Sequence, residues 1–268
     1  MDTKSIGTEY RHKLAEVVNA SNGIITPMLV SKTLNVSQQE AGRLLSRWNR
    51  QTWVKRIKKG VYIPVAANDI TGNLSIEEPW ILANNLFAPG YIGGFSAVKH
   101  WDLSEQIIEV TTFFTTKKVK ERYLVIGDSR FRLKTILPYK IFGTKNAWVE
   151  NVKIPVSDPT KTIVDLLDDP TLVGGMRIVK DVVLEYKKSE YFDLDKLILY
   201  AEKMKNKTIF KRFGYLMENI GLNEMIDKYN LTDKISAGYS TFDPGVKNKS
   251  IVRKWKLWIP EIWKNKND

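Results

Sequence analysis

Between Ser37 and Arg50 the sequence sets Gln39, Arg43, Ser46 and Arg50 at helical spacing, with Arg47 beside them. Guanidiniums, an amide and a hydroxyl on one helix face are the groups that read base edges and hold phosphates. By their chemistry Gln39, Arg43 and Arg47 suit base edges, and Ser46 and Arg50 suit phosphates. A second set follows at once, with Arg56, Lys58 and Lys59 placed just before Gly60. A glycine turn there makes a hairpin whose cations reach phosphates or a minor groove. The same residues have a plainer reading, a basic helix face that is merely solvated. A third keeps the fold but uses it to bind protein.

Elsewhere the residue inventory restricts chemistry more than it offers it. The 268 residues include no cysteine, which removes disulfides and cysteine-ligated zinc or iron–sulfur centres. His12 and His100 are the chain's two histidines, too few for a histidine-rich metal site and in no triad pattern. Asp165, Asp168 and Asp169 crowd one helix end. They suit a divalent cation or a solvated helix face. Glu185 and Lys187 have the E-x-K spacing of some nucleases, but two positions apart on a helix do not converge. The glycine turn at 89–95, PGYIGGF, lacks the GK[ST] of a phosphate loop. Lys205, Lys207, Lys211 and Arg212 form another cationic stretch, read as exposed and open to DNA, an acidic partner or plain solubility. No metal or organic cofactor is expected.

To present the basic set, the chain needs a particular run of elements. Ser37 with Glu40 three residues on is a capping-box pair, and Ala41, Leu44, Leu45 and Trp48 make the apolar stripe opposite the polar face. Before it, 8–21 reads as a helix stopped by Asn22-Gly23, and Ile24-Ile25 as a very short strand. Thr26-Pro27 opens a helix that ends at Asn35. After it, Trp53–Ile57 and Val61–Val65 read as strands around the Lys58-Lys59-Gly60 turn. Helix, turn, capped helix and basic hairpin are the order of a winged helix-turn-helix. Charge agrees with this reading. Residues 1–65 hold 11 Lys+Arg against 4 Asp+Glu, a net +7 of the chain's +12. A basic field gathered in one small module is the footprint of nucleic-acid binding.

Ala66–Leu74 is polar and turn-rich and reads as a linker between a domain at 1–66 and a larger one at 67–268. In the larger part, a helix is expected after Ser75 and another at 96–101. Strands are expected at Ile107–Thr115, Arg122–Ile126, Phe131–Leu137, Tyr139–Phe142 and Trp148–Pro155, forming an antiparallel sheet. Helices follow from Asp158-Pro159, at Met176–Lys188, at Asp193–Met204 and at Lys207–Ile220; a loop at 239–248 precedes a late strand at Ile251–Ile259. The fold class is α+β: a winged helix-turn-helix, then an α+β domain with an antiparallel sheet and a helical C-terminal part. The opening residues lack a signal peptide's apolar run, and no stretch is long and apolar enough to span a membrane. A cytoplasmic protein without a membrane partner is expected.

Several segments together carry a family resemblance. They are Gly60-Val61-Tyr62 with Pro64 in the hairpin, YIGGFSAVKHWDL at Tyr91–Leu103, SDPTKTIVDLL at Ser157–Leu167 and the late WKLWIP near Trp255. With them the chain resembles the AbiEi-type antitoxins of bacterial phage-defence operons, often described as transcriptional regulators of viral defence. The resemblance implies that the first module binds inverted repeats in double-stranded DNA of its own promoter and represses the operon. It also implies that the second domain opposes a nucleotidyltransferase-like toxin, an effect that does not require a stable complex. Such a protein is not an enzyme. Two other readings stand beside it: a nuclease-like, DNA-processing enzyme delivered by a winged helix, and a regulator that senses a small ligand.

Overall fold

A computed structural model describes residues 3–21, 23–65, 78–106 and 108–264. Asn22, the linker expected at Ala66–Leu74, Ser75, Ile107 and the tail after Lys264 lie outside the described residues. The first module contains α1 (Thr3–Ala20), α2 (Pro27–Leu34) and α3 (Gln38–Arg50). Local chemistry sets their ends. Thr26 Oγ1 accepts the Leu29 N–H at 3.2 Å, with Pro27 at the first helical position. Asn35 closes α2 in the left-handed region at φ 51°. Ser37 Oγ accepts the Glu40 N–H at 3.1 Å and starts α3. A hairpin follows, β1 (Val54–Lys58) with β2 (Val61–Pro64), bulged between Arg56 and Lys58. Gly60 supplies φ 74° at its turn. The short strand expected at Ile24-Ile25 is a bridge in which Ile25 and Tyr62 exchange backbone hydrogen bonds at 2.8 and 2.9 Å.

The stripe read on α3 is the core of this module. Ala41, Leu45 and Trp48 are fully buried with Val17 of α1, Ile25 and Val30 of α2. The hairpin looks two ways, because alternate residues on a strand face opposite sides. Tyr62 joins this first core, while Ile63 joins a second one with Ile81, Leu82 and Leu86 of α4 (Pro79–Phe87). The first module is therefore seated on the rest of the chain through its own hairpin.

Chain order continues with β3 (Gly90–Ile92), α5 (Gly94–His100), β4 (Thr111–Thr115), β5 (Tyr123–Ile126), β6 (Ser129–Thr135), β7 (Thr144–Val149) and β8 (Val152–Ser157). They form a six-stranded sheet in the order β5-β6-β4-β3-β8-β7. The expectation of an antiparallel sheet is corrected here: β4 runs parallel to β6 and β3 parallel to β8, so the sheet is mixed. Of the glycine turn expected at 89–95, residues 90–92 are instead β3, one of the two central strands, while Gly93 and Gly94 (φ 55° at Gly94) make the turn into α5. At Gly90 a Cβ would lie 1.9 Å from the Phe114 carbonyl oxygen, so the missing side chain permits close strand approach rather than a turn. The strand expected at Tyr139–Phe142 is a single 3₁₀ turn, Pro138–Lys140. The strand expected at Trp148–Pro155 is a hairpin, turned at Glu150 with φ 51°.

β4, TTFFT, is buried along its whole length because both sheet faces are covered. Phe113 faces the α4 core, while Phe114 and Tyr91 face a larger helical core. That core packs α6 (Pro159–Asp168), α7 (Met176–Lys188), α8 (Leu194–Lys203), α9 (Thr208–Asn219) and α10 (Asn223–Lys228). The helices read from Asp158 onward are thus present. A small mixed sheet ends the chain, with β10 (Ser250–Val252) antiparallel to β11 (Leu257–Ile259), and β9 (Ser240–Thr241) parallel to β11. The single late strand expected at Ile251–Ile259 is therefore a hairpin, and the loop expected at 239–248 contains β9. The class is α+β. No helix among the described residues is long and apolar enough to cross a membrane.

Candidate nucleic-acid interface

The polar face of α3 is built by the burial of its opposite face. With the apolar stripe fixed in the core, Gln39, Arg43, Ser46 and Arg50 project away from it, and all four are exposed. Arg47 is also exposed, but its guanidinium lies 4.3 Å from the ring centroid of Tyr10 on α1. That cation–π contact holds Arg47 at the α1–α3 junction, to one side of the other four. Ser46 Oγ donates to the Gly42 carbonyl at 2.9 Å, so its proton is turned back onto the helix and its lone pairs face out. The structure thus brings Gln39, Arg43 and Arg50 together as outward donors and distinguishes Ser46 and Arg47 from them.

The hairpin is tied to α3 at a fixed angle. Asn49 Oδ1 accepts the Arg56 N–H at 3.0 Å, and Trp53 N–H donates to the Trp48 carbonyl at 3.0 Å. Thr52 makes the sharp passage between them at φ 58°. The guanidinium of Arg11 lies 5.7 Å from the Trp53 ring centroid, adding another cation at this corner. Arg56 and Lys59 are exposed as expected; the Lys58 side chain lies outside the described ones. Lys55, not chosen from the sequence, is exposed as well, being next in the strand after buried Val54 and so on the opposite side of β1.

A second basic field was missed in the sequence and lies beside the hairpin. Residues 117–134 hold seven Lys+Arg against two Asp+Glu, a net +5 that equals the whole surplus of 66–268. Lys117, Lys118, Lys120, Arg122 and Arg130 are exposed. A cavity of about 710 Å³ is walled by Lys55 and Arg56 of β1 on one side and by Tyr123 and Arg130 of the β5–β6 pair on the other. The two fields are therefore neighbours in space. A sliding charge count along the sequence could have found the second.

The other candidates resolve into structural roles. The carboxylates Asp165, Asp168 and Asp169 do not form a solvated helix face. Asp165 is buried against Lys161 and accepts from Tyr91 Oη at 2.9 Å. Asp168 accepts from Lys140 at 3.1 Å and Asn206 at 2.7 Å; Asp169 pairs with Lys134 and Thr171. Burial pushes the Asp165 carboxyl up, whereas the Lys134 and Thr171 hydrogen bonds outweigh burial and hold Asp169 below its ordinary value. Among the described residues no three His, Asp or Glu side chains converge as a metal site. Glu185 pairs with Lys188 at 2.7 Å rather than converging with Lys187. His12 is exposed, and His100 packs between Trp80 and Trp101.

The cationic stretch at Lys205–Arg212 needs correction. Lys211 and Arg212 are buried, not exposed. Arg212 donates to the carbonyls of Leu167 (2.8 Å), Asp168 (2.9 Å), Thr241 (2.9 Å) and Phe242 (3.0 Å). One guanidinium thus satisfies the C-terminal carbonyls of α6 and joins them to β9. Lys211 donates to the Gly238 carbonyl and to Ser240 Oγ. These cations hold the fold.

No family model and no curated protein matches the chain. A crystal structure of the RV2827C protein from Mycobacterium tuberculosis is similar to it, with a TM-score of 0.58 and 14% identity, over 92% of this chain and 90% of that one. At that identity the likeness is one of fold.

Proposed function

We propose that this protein is a DNA-binding autorepressor, its residues 1–66 acting as a winged helix-turn-helix, and that 67–268 make it the antitoxin of a toxin–antitoxin operon. The observation that carries the DNA half is the outward face of α3. Gln39, Arg43 and Arg50 stand exposed on a rigid, capped helix whose other face is wholly core, and the basic hairpin is tied to its end. In this reading α3 enters the major groove. Arg43 and Gln39 read base edges, Arg50 and the Ser46 hydroxyl sit at the phosphate rim, and Arg47 approaches from the Tyr10 side. The hairpin, with Lys55, Arg56, Lys58 and Lys59, lies along the backbone, and the β5–β6 field extends that contact. The test is anisotropy of labelled upstream DNA against scrambled DNA. Selective binding that Arg43→Ala weakens on the upstream DNA alone supports the reading; equal binding to both DNAs overturns it.

The antitoxin half rests on the sequence resemblance. It supposes a nucleotidyltransferase-like toxin encoded alongside, opposed with or without direct contact. Co-expression of the neighbouring gene with the full chain carrying Arg43→Ala tests it: rescue of growth supports the reading, and continued toxicity with the variant folded overturns it.

A further inference from the structure

A cavity of about 670 Å³ opens where α4 begins, α5 ends and the β5–β6 turn passes. That size suits a small organic ligand. One wall carries the rings of Trp80 and His100, with centroids 5.4 Å apart and planes inclined at 56°, so Trp80 offers a face for stacking and His100 stands at an angle beside it. His100 is also held edge-on against Trp101 at 4.6 Å, so the pair is braced from behind. Partial burial pushes the His100 imidazole below its ordinary value, which favours a neutral ring at neutral pH. Lys99 and Arg130 bring exposed cations to the cavity, and Glu109 and Asp128 bring carboxylates, so its formal charge is balanced. A balanced lining suits a ligand with one anionic end and one flat, uncharged, hydrogen-bonding end better than a bare polyanion. Arg130 also walls the neighbouring cavity that Lys55 and Arg56 border, so the basic end of the site is defined.

We propose that this cavity binds a nucleoside phosphate, with the base against Trp80 and His100 and the phosphate on Arg130 and Lys99. Stacking on aromatic rings tolerates any base, and the arginine fork matches phosphate geometry. A free nucleotide and the end nucleotide of a single strand present this same chemistry. The site is separate from the face of α3 and does not depend on duplex binding by that helix.

The test is isothermal titration of the full chain with ATP, GTP, CTP and UTP, and in parallel with a single-stranded oligoadenylate. Saturable binding is expected, weakened about tenfold or more by Arg130→Ala and by Trp80→Leu, and unchanged by Arg43→Ala. Tighter binding of the mononucleotides identifies a free nucleotide as the ligand. Tighter binding of the oligonucleotide that Trp80→Leu weakens identifies a strand end, and oligonucleotide binding that Trp80→Leu leaves unchanged belongs to the basic fields and counts against the cavity. Trp80 packs against the α4 core, so its variant is checked by thermal melting, and Arg130→Ala at an exposed position carries the test if Trp80→Leu unfolds. Absence of saturable binding to either probe at millimolar ligand overturns the proposal, as does binding that neither variant weakens.

Discussion

Lys161 and Asp165 lie one helical turn apart on α6, both buried, with the Tyr91 hydroxyl bridging them. Lys161 Nζ donates to Tyr91 Oη at 2.8 Å, and Oη donates to Asp165 at 2.9 Å. Lys161→Met keeps the apolar stem and deletes the charge. Asp165 then keeps one donor and no counter-charge in a site without water access. Breaking one side of a buried pair costs about 3–5 kcal/mol, because the remaining ion is left uncompensated. At roughly 2–4 °C per kcal/mol for a domain of this size, melting falls by roughly 6–20 °C. The loss depends on pH. The folded carboxyl sits above its unfolded value, so the folded state holds this proton more tightly than the unfolded chain. The Asp165 contribution to stability is therefore fully present at acid pH and is lost as pH rises through the raised pKa, more so once Lys161 no longer offsets the carboxylate charge. Urea unfolding at about pH 5 and about pH 8 should show the larger loss at the higher pH. Lys161→Met combined with Asp165→Leu removes both charges and should recover part of the stability, the Tyr91 hydroxyl being left without its two partners. A single-variant cost under about 1 kcal/mol, no pH slope, or a double variant as unstable as the single would refute the argument.

Other perturbations follow from contacts of the same kind. Arg212→Met strips the donors from four carbonyls and should cost about 3 kcal/mol or more in urea titration, since a buried charged donor is lost along with its partners' satisfaction. Gly214→Ala should cost about 1–3 kcal/mol by the same assay, because a Cβ there would stand 2.1 Å from the Trp255 ring. Ser37→Ala removes the cap of α3 and should lower stability by about 1 kcal/mol. Lys120→Ala with Arg122→Ala should weaken specific and random duplex DNA alike and reduce the salt dependence by about two phosphate contacts. Unaltered affinity in that variant would remove the β5–β6 field from the duplex interface.

Local signals made some elements legible and hid others. The start of α3 could be read because its cap is a contact within three residues, Ser37 to Glu40, and its stripe has a single period. Asp158 before Pro159 was legible for the same reason, its carboxylate accepting the Lys161 N–H at 2.7 Å. Gly90 misled because the sequence shows a glycine but not the strand that presses against it. The β7–β8 and β10–β11 turns were missed because Glu150 and Lys256 take left-handed φ without glycine's usual mark. Lys161, Lys211 and Arg212 were hidden more deeply. Charge reads as surface in a sequence; the partners of Lys211 and Arg212 lie far along the chain, at Gly238 and Thr241, and Lys161, though paired with Asp165 one turn on, is covered together with distant Tyr91. Among the candidate site residues, exposure on α3 followed from periodicity. The engagement of Arg47 with Tyr10, by contrast, depends on how α1 crosses α3.

The most direct measurement of the central claim is fluorescence anisotropy of the DNA immediately upstream of this protein's gene, against scrambled DNA, across a salt series. The account predicts tight, selective binding by the wild-type chain. Arg43→Ala should lose about 1–3 kcal/mol on the specific site alone, and Lys59→Ala should weaken both DNAs with a salt slope shallower by about one. Equal affinity for the two DNAs, or equal losses from Arg43→Ala on both, would contradict α3 as the element that reads sequence.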